Sequence, residues 1–237
     1  KGESEEILER LKSLQNKRSS SAQTPECEEA FSVVNKVAAF VLISKKKVFA
    51  KDRSGNKRQL EAFDKVYEGE TLITGKNAFT QVVFLDGSVV KLASNSKIKI
   101  NHYEYDAKKG TGNSEITAEK AMASFIVGKI ANLTPNNYKV LSATAVIGIR
   151  GSAFSMIADK EKTIIEGHGA VAQAMIGSEE LTDEAVVLDD YLVTLTIDNE
   201  GNISTQEPVM GIDKKINYQQ RVLEIIDEQR GKKVKEK

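Results

Sequence analysis

The chain has 237 residues with 34 basic and 34 acidic side chains, so its formal net charge is zero. Such a balance gives no overall field that would attract nucleic acid or an anionic membrane surface, and we expect no nucleic-acid partner. The length suits one ordinary domain with extensions or two small domains, and it is enough to bury a core without disulfides or metal ions. Cys27 is the single cysteine, which excludes an intramolecular disulfide.

The chain offers no candidate membrane span. A transmembrane helix needs about 20 apolar residues, and the longest apolar segment, Val37–Ser44, has the length of a strand. The sequence begins at Lys1 without a signal peptide, so we expect any targeting or anchoring segment, such as a lipid attachment, to lie upstream of Lys1. Cys27 follows no apolar run and is interpreted as an incidental, partly buried thiol.

Residues 1–36 are predicted to form a helical and linker extension. Within Gly2–Gln15, leucine and isoleucine residues recur three and four positions apart, which predicts an amphipathic helix. Lys17–Pro25 is a polar linker, and Pro25 suits the first position of a short second helix. An isolated helix of this length is marginal in water, so we expect the first helix to dock on the domain or to bind another molecule.

From Val37 onward the pattern is that of short strands. The predicted strands before residue 75 are Ala38–Ser44, Lys47–Lys51, Gln59–Phe63 and Thr71–Thr74. Many short strands separated by turn residues predict a β-sandwich, barrel or solenoid, and the periodicity does not choose among them.

A hairpin is predicted at Asp86-Gly87. The flanking runs Phe79–Leu85 and Val89–Leu92 are rich in β-branched and aromatic residues, and an Asp-Gly pair between such runs predicts a tight primed turn. Farther on, Ile98 and Ile100 alternate with lysines, as expected of a strand buried on one face. The polar segment that follows, Asn101–Ser114, is predicted to be an exposed loop.

The middle of the chain is less regular. Glu115–Leu133 is apolar and periodic, and its pattern fits a helix or a strand. Val146–Ile157 mixes strand-forming residues with glycines and carries Arg150 inside an apolar run. Thr163–Val171 then predicts a strand, a corner containing glycines, and a second short strand.

Two motifs give the sequence a family resemblance. Thr74-Gly75, Phe84–Ser88 and Ser96–Ile98, followed by Ala145–Phe154 and Glu166-Gly167, resemble the FecR domain, the extracytoplasmic β-domain of ferric-citrate-type transmembrane regulators. The resemblance covers Val37 to Ala174, with Ser152 where the family usually has threonine. The motif residues it singles out are Asp86, Gly87, Ser88, Gly148, Arg150, Gly151, Ser152, Phe154, Glu166 and Gly167.

Strand character continues beyond the resemblance. Ala185–Leu188 and Tyr191–Ile197 are predicted strands, and Lys214–Arg230 is a predicted helix that ends at Gly231 and precedes a basic tail. We therefore predict four parts: the extension 1–36, a FecR-like β domain 37–174, further strands 175–213, and the helix with its tail 214–237. The fold class is mainly β, a roll-, solenoid- or sandwich-like domain with peripheral helices at both ends.

Arg150 is the most informative charged residue, because it lies in an apolar run beside glycines. A guanidinium near the core needs acceptors or a carboxylate partner. Two interpretations stay open. One is an anion- or partner-recognition site. The other is an arginine that bonds the backbone carbonyls of neighbouring strands, to which its planar fork of five donors is suited.

The remaining candidates are weaker. Asp86 could act as a metal ligand or general base, or simply as a turn residue. His102 and His168 lie far apart and form no ligand-spaced motif, alone or with Cys27. The acidic segment 183–190 lacks the spacing of a calcium loop and is interpreted as a solvated turn. No phosphate-binding, nucleophile-elbow or zinc motif is present, so we predict no cofactor and no enzyme.

The function predicted from these observations is binding in the cell envelope. We expect a periplasmic FecR-like scaffold or interaction domain that binds a protein partner or assembles with itself. Two alternatives are kept: the signal-relay part of a FecR-type transmembrane sigma-factor regulator, which the resemblance implies, and a cell-wall or glycan-binding module. The resemblance implies a role in relaying a signal from an outer-membrane transporter to a cytoplasmic sigma factor, as in the family.

Overall fold

The structure is a computed structural model that describes residues 36–133, 137–176, 180–188, 194–206 and 211–235. The predictions for residues 1–35, including Cys27, lie outside the described residues. The strands are β1 Val37–Lys45, β2 Val48–Lys51, β3 Lys57–Gln59, β4 Lys65–Tyr67, β5 Thr71–Thr74, β6 Phe79–Phe84, β7 Val89–Leu92, β8 Lys97–Asp106, β9 Thr111–Ile126, β10 Tyr138–Leu141, β11 Ala145–Ala158, β12 Lys162–Ile176, β13 Glu180–Leu188, β14 Thr194–Asp198 and β15 Ile203–Gln206. The helices are α1 Lys129–Leu133 and α2 Ile212–Lys235.

The described strands form one sheet that has two halves. The long strands β9, β11 and β12 belong to both halves and hold them together. One half runs β4-β1-β6-β7-β9-β11-β12-β14-β15, and the other runs β3-β2-β5-β8-β9-β10-β11-β12-β13. Strands β9, β11 and β12 pair with different neighbours along their two ends. Only the β9–β10 pair is parallel among the described pairs. The mainly β prediction is confirmed.

The largest hydrophobic cluster of the described residues joins the two halves. Val41, Phe125 and Phe154 come from the first half, Leu72 and Ile98 from the second, and all are buried in one contiguous cluster. Successive side chains of a strand point to opposite faces of the sheet, so the alternate residues of the first half face outward.

Helix α2 covers part of that outward face. Its Ile216 and Leu223 are buried against Met122, Ile157 and Ile164, which come from β9, β11 and β12. Burial of such an apolar stripe contributes most of the stability of a peripheral helix. The predicted amphipathic C-terminal helix is therefore present and packs on its own domain.

The central hairpin forms, but with a different turn from the one predicted. Strands β6 and β7 pair through Val83 and Val89, and Phe84 bonds Ser88, which leaves a three-residue loop. The Gly87 amide donates to the Phe84 carbonyl, and only Gly87 has positive φ, at 87°. This is the geometry of a type I turn followed by a left-handed glycine, so the predicted two-residue primed turn is wrong.

The predicted loop Asn101–Ser114 is also wrong, because β8 and β9 pair through it up to Asp106 and Thr111. Only Ala107–Gly110 turns. Gly112 marks a close approach, since a Cβ there would lie 2.6 Å from Ile130 Cγ1 of α1. Polar composition misled the prediction because one side of this hairpin faces solvent.

Three other boundaries differ from the predictions. Of the predicted strand Gln59–Phe63, only Gln59 lies in a strand, at the end of β3. Glu115–Leu133 is mostly strand and ends in the short helix α1. Helix α2 continues through Gly231 to Lys235. The roughly five helical turns before Gly231 outweigh the cost of one glycine in a helix, which is about 1 kcal/mol.

Candidate functional site

The first predicted motif forms a buried polar group beneath the hairpin. Asp86 is 2% exposed, and its Oδ2 accepts hydrogen bonds from Ser88 Oγ at 2.6 Å and from the Ile130 amide at 3.3 Å. Its Oδ1 accepts a bond from the Tyr103 hydroxyl at 3.1 Å. Both carboxylate oxygens are therefore used inside the protein, where a partner or substrate does not reach them.

The same group fixes the start of α1. The Gly128 amide donates to Ser88 Oγ at 2.9 Å, and the Lys129 amide donates to the Asp86 carbonyl at 3.0 Å. A Cβ at Gly128 would lie 2.4 Å from the Ser88 amide nitrogen, so only glycine fits there. The motif Asp86-Gly87-Ser88 thus joins the hairpin turn to the end of β9.

Two buried tyrosines complete this group. Burial raises the pKa of Tyr103 far above its ordinary value, and the neighbouring negative charge of Asp86 raises it further. Burial and the Asp86 charge likewise raise the pKa of Tyr138. The Tyr138 hydroxyl has no hydrogen-bond partner among the described residues. Neither tyrosine stands out in the sequence, because an isolated tyrosine in a strand carries no local signal of burial.

The second predicted motif lies where β11 and β12 change neighbours. Phe154 is buried, and its ring stacks on Phe125 with centroids 4.7 Å apart and planes 4° apart. Gly167 lies opposite Phe154, and a Cβ at Gly167 would come within 2.6 Å of Phe154 Cα. The predicted corner at Gly167 is instead a continuous strand, in which β12 exchanges β14 for β13 as its neighbour.

The other residues of this motif lie in β11. Gly148 pairs with Lys139 of β10 and Val171 of β12. Arg150, Gly151 and Ser152 occupy an irregular segment in which the β11–β12 register shifts between Ile149 and Ala153. Their side chains lie outside the described part of the structure, so both interpretations of Arg150 remain hypotheses.

Next to this motif, one row of polar residues crosses the outward face of the first half. Lys91 of β7 lies opposite Ser124 of β9, Ser124 opposite Ser155 of β11, and Ser155 opposite Glu166 of β12. The row continues to Thr194, whose hydroxyl donates to Glu166 Oε1 at 3.2 Å. The sequence does not single out Lys91, Ser124 and Ser155, because only the strand register places them side by side.

Glu166 also caps helix α2. The Lys215 amide donates to the Gly211 carbonyl, which makes Gly211 the residue before the first turn. Glycine has no side chain to accept the free amides of a helix start. The Glu166 carboxylate supplies that acceptor by receiving the Ile212 amide, and its negative charge suits the positive end of the helix dipole.

A cleft of about 350 Å³ lies between this row and the start of α2. Ile126, 41% exposed, contributes apolar surface to it, and Ser124 and Ser155 lie in its floor. Its lining residues are Lys91, Ser124, Ile126, Ala153, Phe154, Ser155, Glu166, Gly167, Gly211, Asp213 and Lys214. The cleft therefore brings together three motif residues, Phe154, Glu166 and Gly167, with polar residues that the sequence did not single out.

The charges around the cleft are balanced and mostly engaged. Lys91 Nζ donates to Asn217 Oδ1 at 2.9 Å, and Asn217 Nδ2 donates to Asp213 Oδ2 at 2.6 Å. Glu166 is held by α2 and Thr194, as described above. Chemically, the arrangement suits recognition of a neutral group better than proton transfer, since its carboxylates already accept hydrogen bonds.

The remaining sequence candidates do not join this site. His102 Nδ1 lies 3.6 Å from Glu68 at the surface of the second half. The side chains of His168 and of the acidic segment 183–190 lie outside the described residues. Among the described residues, no three histidine, cysteine or carboxylate side chains are grouped as metal ligands would be. In that part of the chain, neither helix has the length and hydropathy to cross a membrane.

Part of the chain matches the model of a known protein family. Residues 70–171 match the model of a family described as "FecR protein". The match begins before the central hairpin and ends within β12, so it contains both predicted motifs and the strands that carry the polar row up to Glu166. No curated protein matches the chain.

Solved structures with some likeness include two of a "putative anti-sigma factor" from Parabacteroides distasonis ATCC 8503. Each has 15% identity and a TM-score of 0.42, with 58% of this chain and 59% of the other covered. The chain thus spans about three fifths of the length of that protein. A "Cell surface anchoring domain" shares 25% identity over 27% of this chain and 84% of its own, with a TM-score of 0.26. At these scores the likeness carries no inference about function.

Proposed function

We propose that the protein acts outside the cytoplasm, in the bacterial cell envelope, by binding a protein partner, because residues 70–171 match the FecR family model. The partner is another envelope protein or a second copy of the chain. The observation that carries the proposal is the extent of the match, which includes most of the strands around the cleft.

The cleft supports binding as the mode of action. The Glu166 carboxylate accepts hydrogen bonds from the Ile212 amide and from the Thr194 hydroxyl, so its role is to hold α2 in place over the sheet. Asp86 is enclosed beneath the hairpin and holds the turn. Both motifs thereby build a rigid surface, and a rigid surface lowers the entropic cost of binding a partner.

Site-specific photo-cross-linking tests this proposal in the cells from which the sequence comes. A photoreactive amino acid is placed in the complete gene product at Lys214 on the cleft, Arg53 on the second half, Ser204 on β15 or Tyr218 on α2. We expect at least one position to give a discrete cross-linked product that contains an envelope protein or a second copy of the chain. The absence of any specific product from all four positions would overturn the proposal.

A second experiment tests the location of the protein. A reporter enzyme that folds only outside the cytoplasm, fused to the C-terminus of the complete gene product, should be active. An active reporter supports the envelope location, and an inactive reporter in a stably expressed fusion contradicts it.

Signal relay is the second candidate, and the FecR family favours it. A relay protein changes the activity of one sigma factor, whereas an assembly component changes the composition of the envelope. Deletion of the gene followed by transcript profiling separates the two. A coherent change in one sigma-dependent set of genes supports relay, and an unchanged profile with altered envelope protein content supports assembly.

A further inference from the structure

Two serines in the cleft have no hydrogen-bond partner among the described residues. Ser124 and Ser155 are 4% and 5% exposed and lie opposite each other on β9 and β11. Other buried serines, such as Ser88 and Ser142, bond carboxylate, carbonyl or hydroxyl groups. Neither hydroxyl is among the fully enclosed polar atoms that lack a partner, which are Ser114 Oγ and Tyr138 Oη in the described residues, so both hydroxyls are open to the cleft. They can therefore donate hydrogen bonds to an external acceptor.

The apolar part of the cleft adds a second requirement on the ligand. Ile126 is one of the few large apolar side chains that are exposed in the described part of the chain, and Ala153 lies opposite it on β11. Both line the cleft beside the two hydroxyls. A ligand that fits must therefore present an apolar group next to a hydrogen-bond acceptor.

The charged residues of the lining include two of each sign, so the cleft offers no net attraction to a strongly charged ligand. Lys91 and Lys214 are balanced by Glu166 and Asp213. The two carboxylates would repel a free anion, and the two ammonium groups would repel a free cation. Stacking of a sugar ring is also disfavoured, because Phe154 is 2% exposed and its ring is already stacked on Phe125.

We propose that this cleft binds a short, uncharged segment of an extended peptide. One apolar side chain of the segment packs on Ile126 and Ala153, and an adjacent main-chain carbonyl accepts hydrogen bonds from Ser124 and Ser155. The volume of about 350 Å³ is at the small end of ligand sites, which fits a few residues and no larger ligand. This inference deepens the proposed function by stating the chemistry of the partner.

Capped tripeptides provide the probe. Acetyl-Gly-Xaa-Gly-amide peptides with leucine, phenylalanine, lysine or glutamate at the centre are titrated into the full chain, and the isoleucine methyl groups are followed by NMR. We expect saturable shifts of the Ile126 methyl group with leucine and phenylalanine, and at least about fivefold weaker binding of the lysine and glutamate peptides. No saturable shift at Ile126, or equal binding of all four peptides, would overturn the inference.

Variants separate the hydroxyls from the apolar wall. Ser124→Ala with Ser155→Ala should weaken binding of the leucine peptide about fivefold or more, as expected for two lost hydrogen bonds. Ile126→Lys, at an exposed position, should remove detectable binding. Ser204→Ala and Tyr218→Ala, outside the cleft, are the matched controls and should bind as the parent does. Unchanged binding by the double serine variant, with its folding confirmed by thermal unfolding, would contradict the inference.

The outcomes also separate this inference from the proposed function. Peptide binding without any cross-linked partner in cells would contradict the proposed function and leave the cleft as a peptide site. A cross-linked partner that persists in the Ile126→Lys protein, with no peptide binding by the parent, would contradict only the cleft inference.

Discussion

The Tyr103 hydroxyl and Asp86 are linked by two hydrogen bonds in opposite directions. The hydroxyl donates to Asp86 Oδ1 at 3.1 Å and accepts the Asp86 backbone amide at 2.8 Å. Both groups are buried. This reciprocal pair holds the central turn against β8, and it explains why a motif residue that looks accessible in the sequence serves the fold.

Removal of the Tyr103 hydroxyl should therefore be costly. Tyr103→Phe leaves a buried amide and one carboxylate oxygen with fewer partners, so we expect the free energy of unfolding to fall by roughly 2–3 kcal/mol. Tyr138→Phe is the matched control, because the Tyr138 hydroxyl has no partner among the described residues, and it should be neutral or stabilising. Urea unfolding measures both, and equal losses in the two variants would contradict this account.

Gly167→Ala should destabilise the β11–β12 crossing. The added Cβ would lie 2.6 Å from Phe154 Cα, and the φ of Gly167 is 154°, a conformation that side-chain-bearing residues rarely adopt. We expect a loss of about 3 kcal/mol in the free energy of unfolding. Gly55→Ala is the control for φ alone, because Gly55 also has positive φ but its Cβ would meet only ordinary contacts, and it should lose about 1 kcal/mol. If Gly167→Ala lowered the free energy of unfolding no more than Gly55→Ala does, the close contact with Phe154 would not be the cause of the loss.

Glu166 should act through the start of helix α2. Glu166→Ala removes the acceptor of the Ile212 amide and of Thr194, so we expect a loss of about 1–2 kcal/mol. Glu166→Gln keeps an acceptor oxygen and should lose about half as much. Hydrogen exchange at the first-turn amides of α2 locates the effect. If exchange there were unchanged in Glu166→Ala, the capping role would be rejected.

The buried tyrosines predict loss of stability at high pH. In the unfolded chain a tyrosine ionises near pH 10, whereas burial and Asp86 raise the pKa of Tyr103 and Tyr138 in the folded protein. Above pH 10 the unfolded chain therefore releases protons that the folded chain retains. The free energy of unfolding should fall with rising pH, by about 1.4 kcal/mol per pH unit for each tyrosine.

Ultraviolet titration of tyrosinate gives the direct measurement. In the folded protein Tyr103 and Tyr138 should stay protonated at a pH where the tyrosines of the unfolded chain ionise, because burial and the charge of Asp86 raise their pKa. Tyr138→Phe should leave the tyrosinate signal of the folded protein unchanged and should reduce that of the unfolded chain. A reduced folded-state signal from Tyr138→Phe would contradict the burial argument.

Much of the chain could be predicted from local pattern alone. Strands β5 and β7, the hairpin at Asp86-Gly87, the alternation around Ile98 and Ile100, and the amphipathic stripe of α2 all follow from residue type and spacing, because each depends on neighbours within a few positions. The FecR motifs could also be read directly, since their residues are contiguous in the sequence.

The tertiary structure decided what those residues do. Polarity of Asn101–Ser114 did not reveal a hairpin, because one exposed face is enough to make a strand look like a loop. The row from Lys91 through Ser124 and Ser155 to Glu166 exists only after four strands are placed in register, and the cap of α2 comes from a residue 46 positions before Ile212. Local interactions set the elements, whereas contacts between distant strands set the cleft, because hydrogen-bond register is a property of pairs of strands and cannot be read from either strand alone.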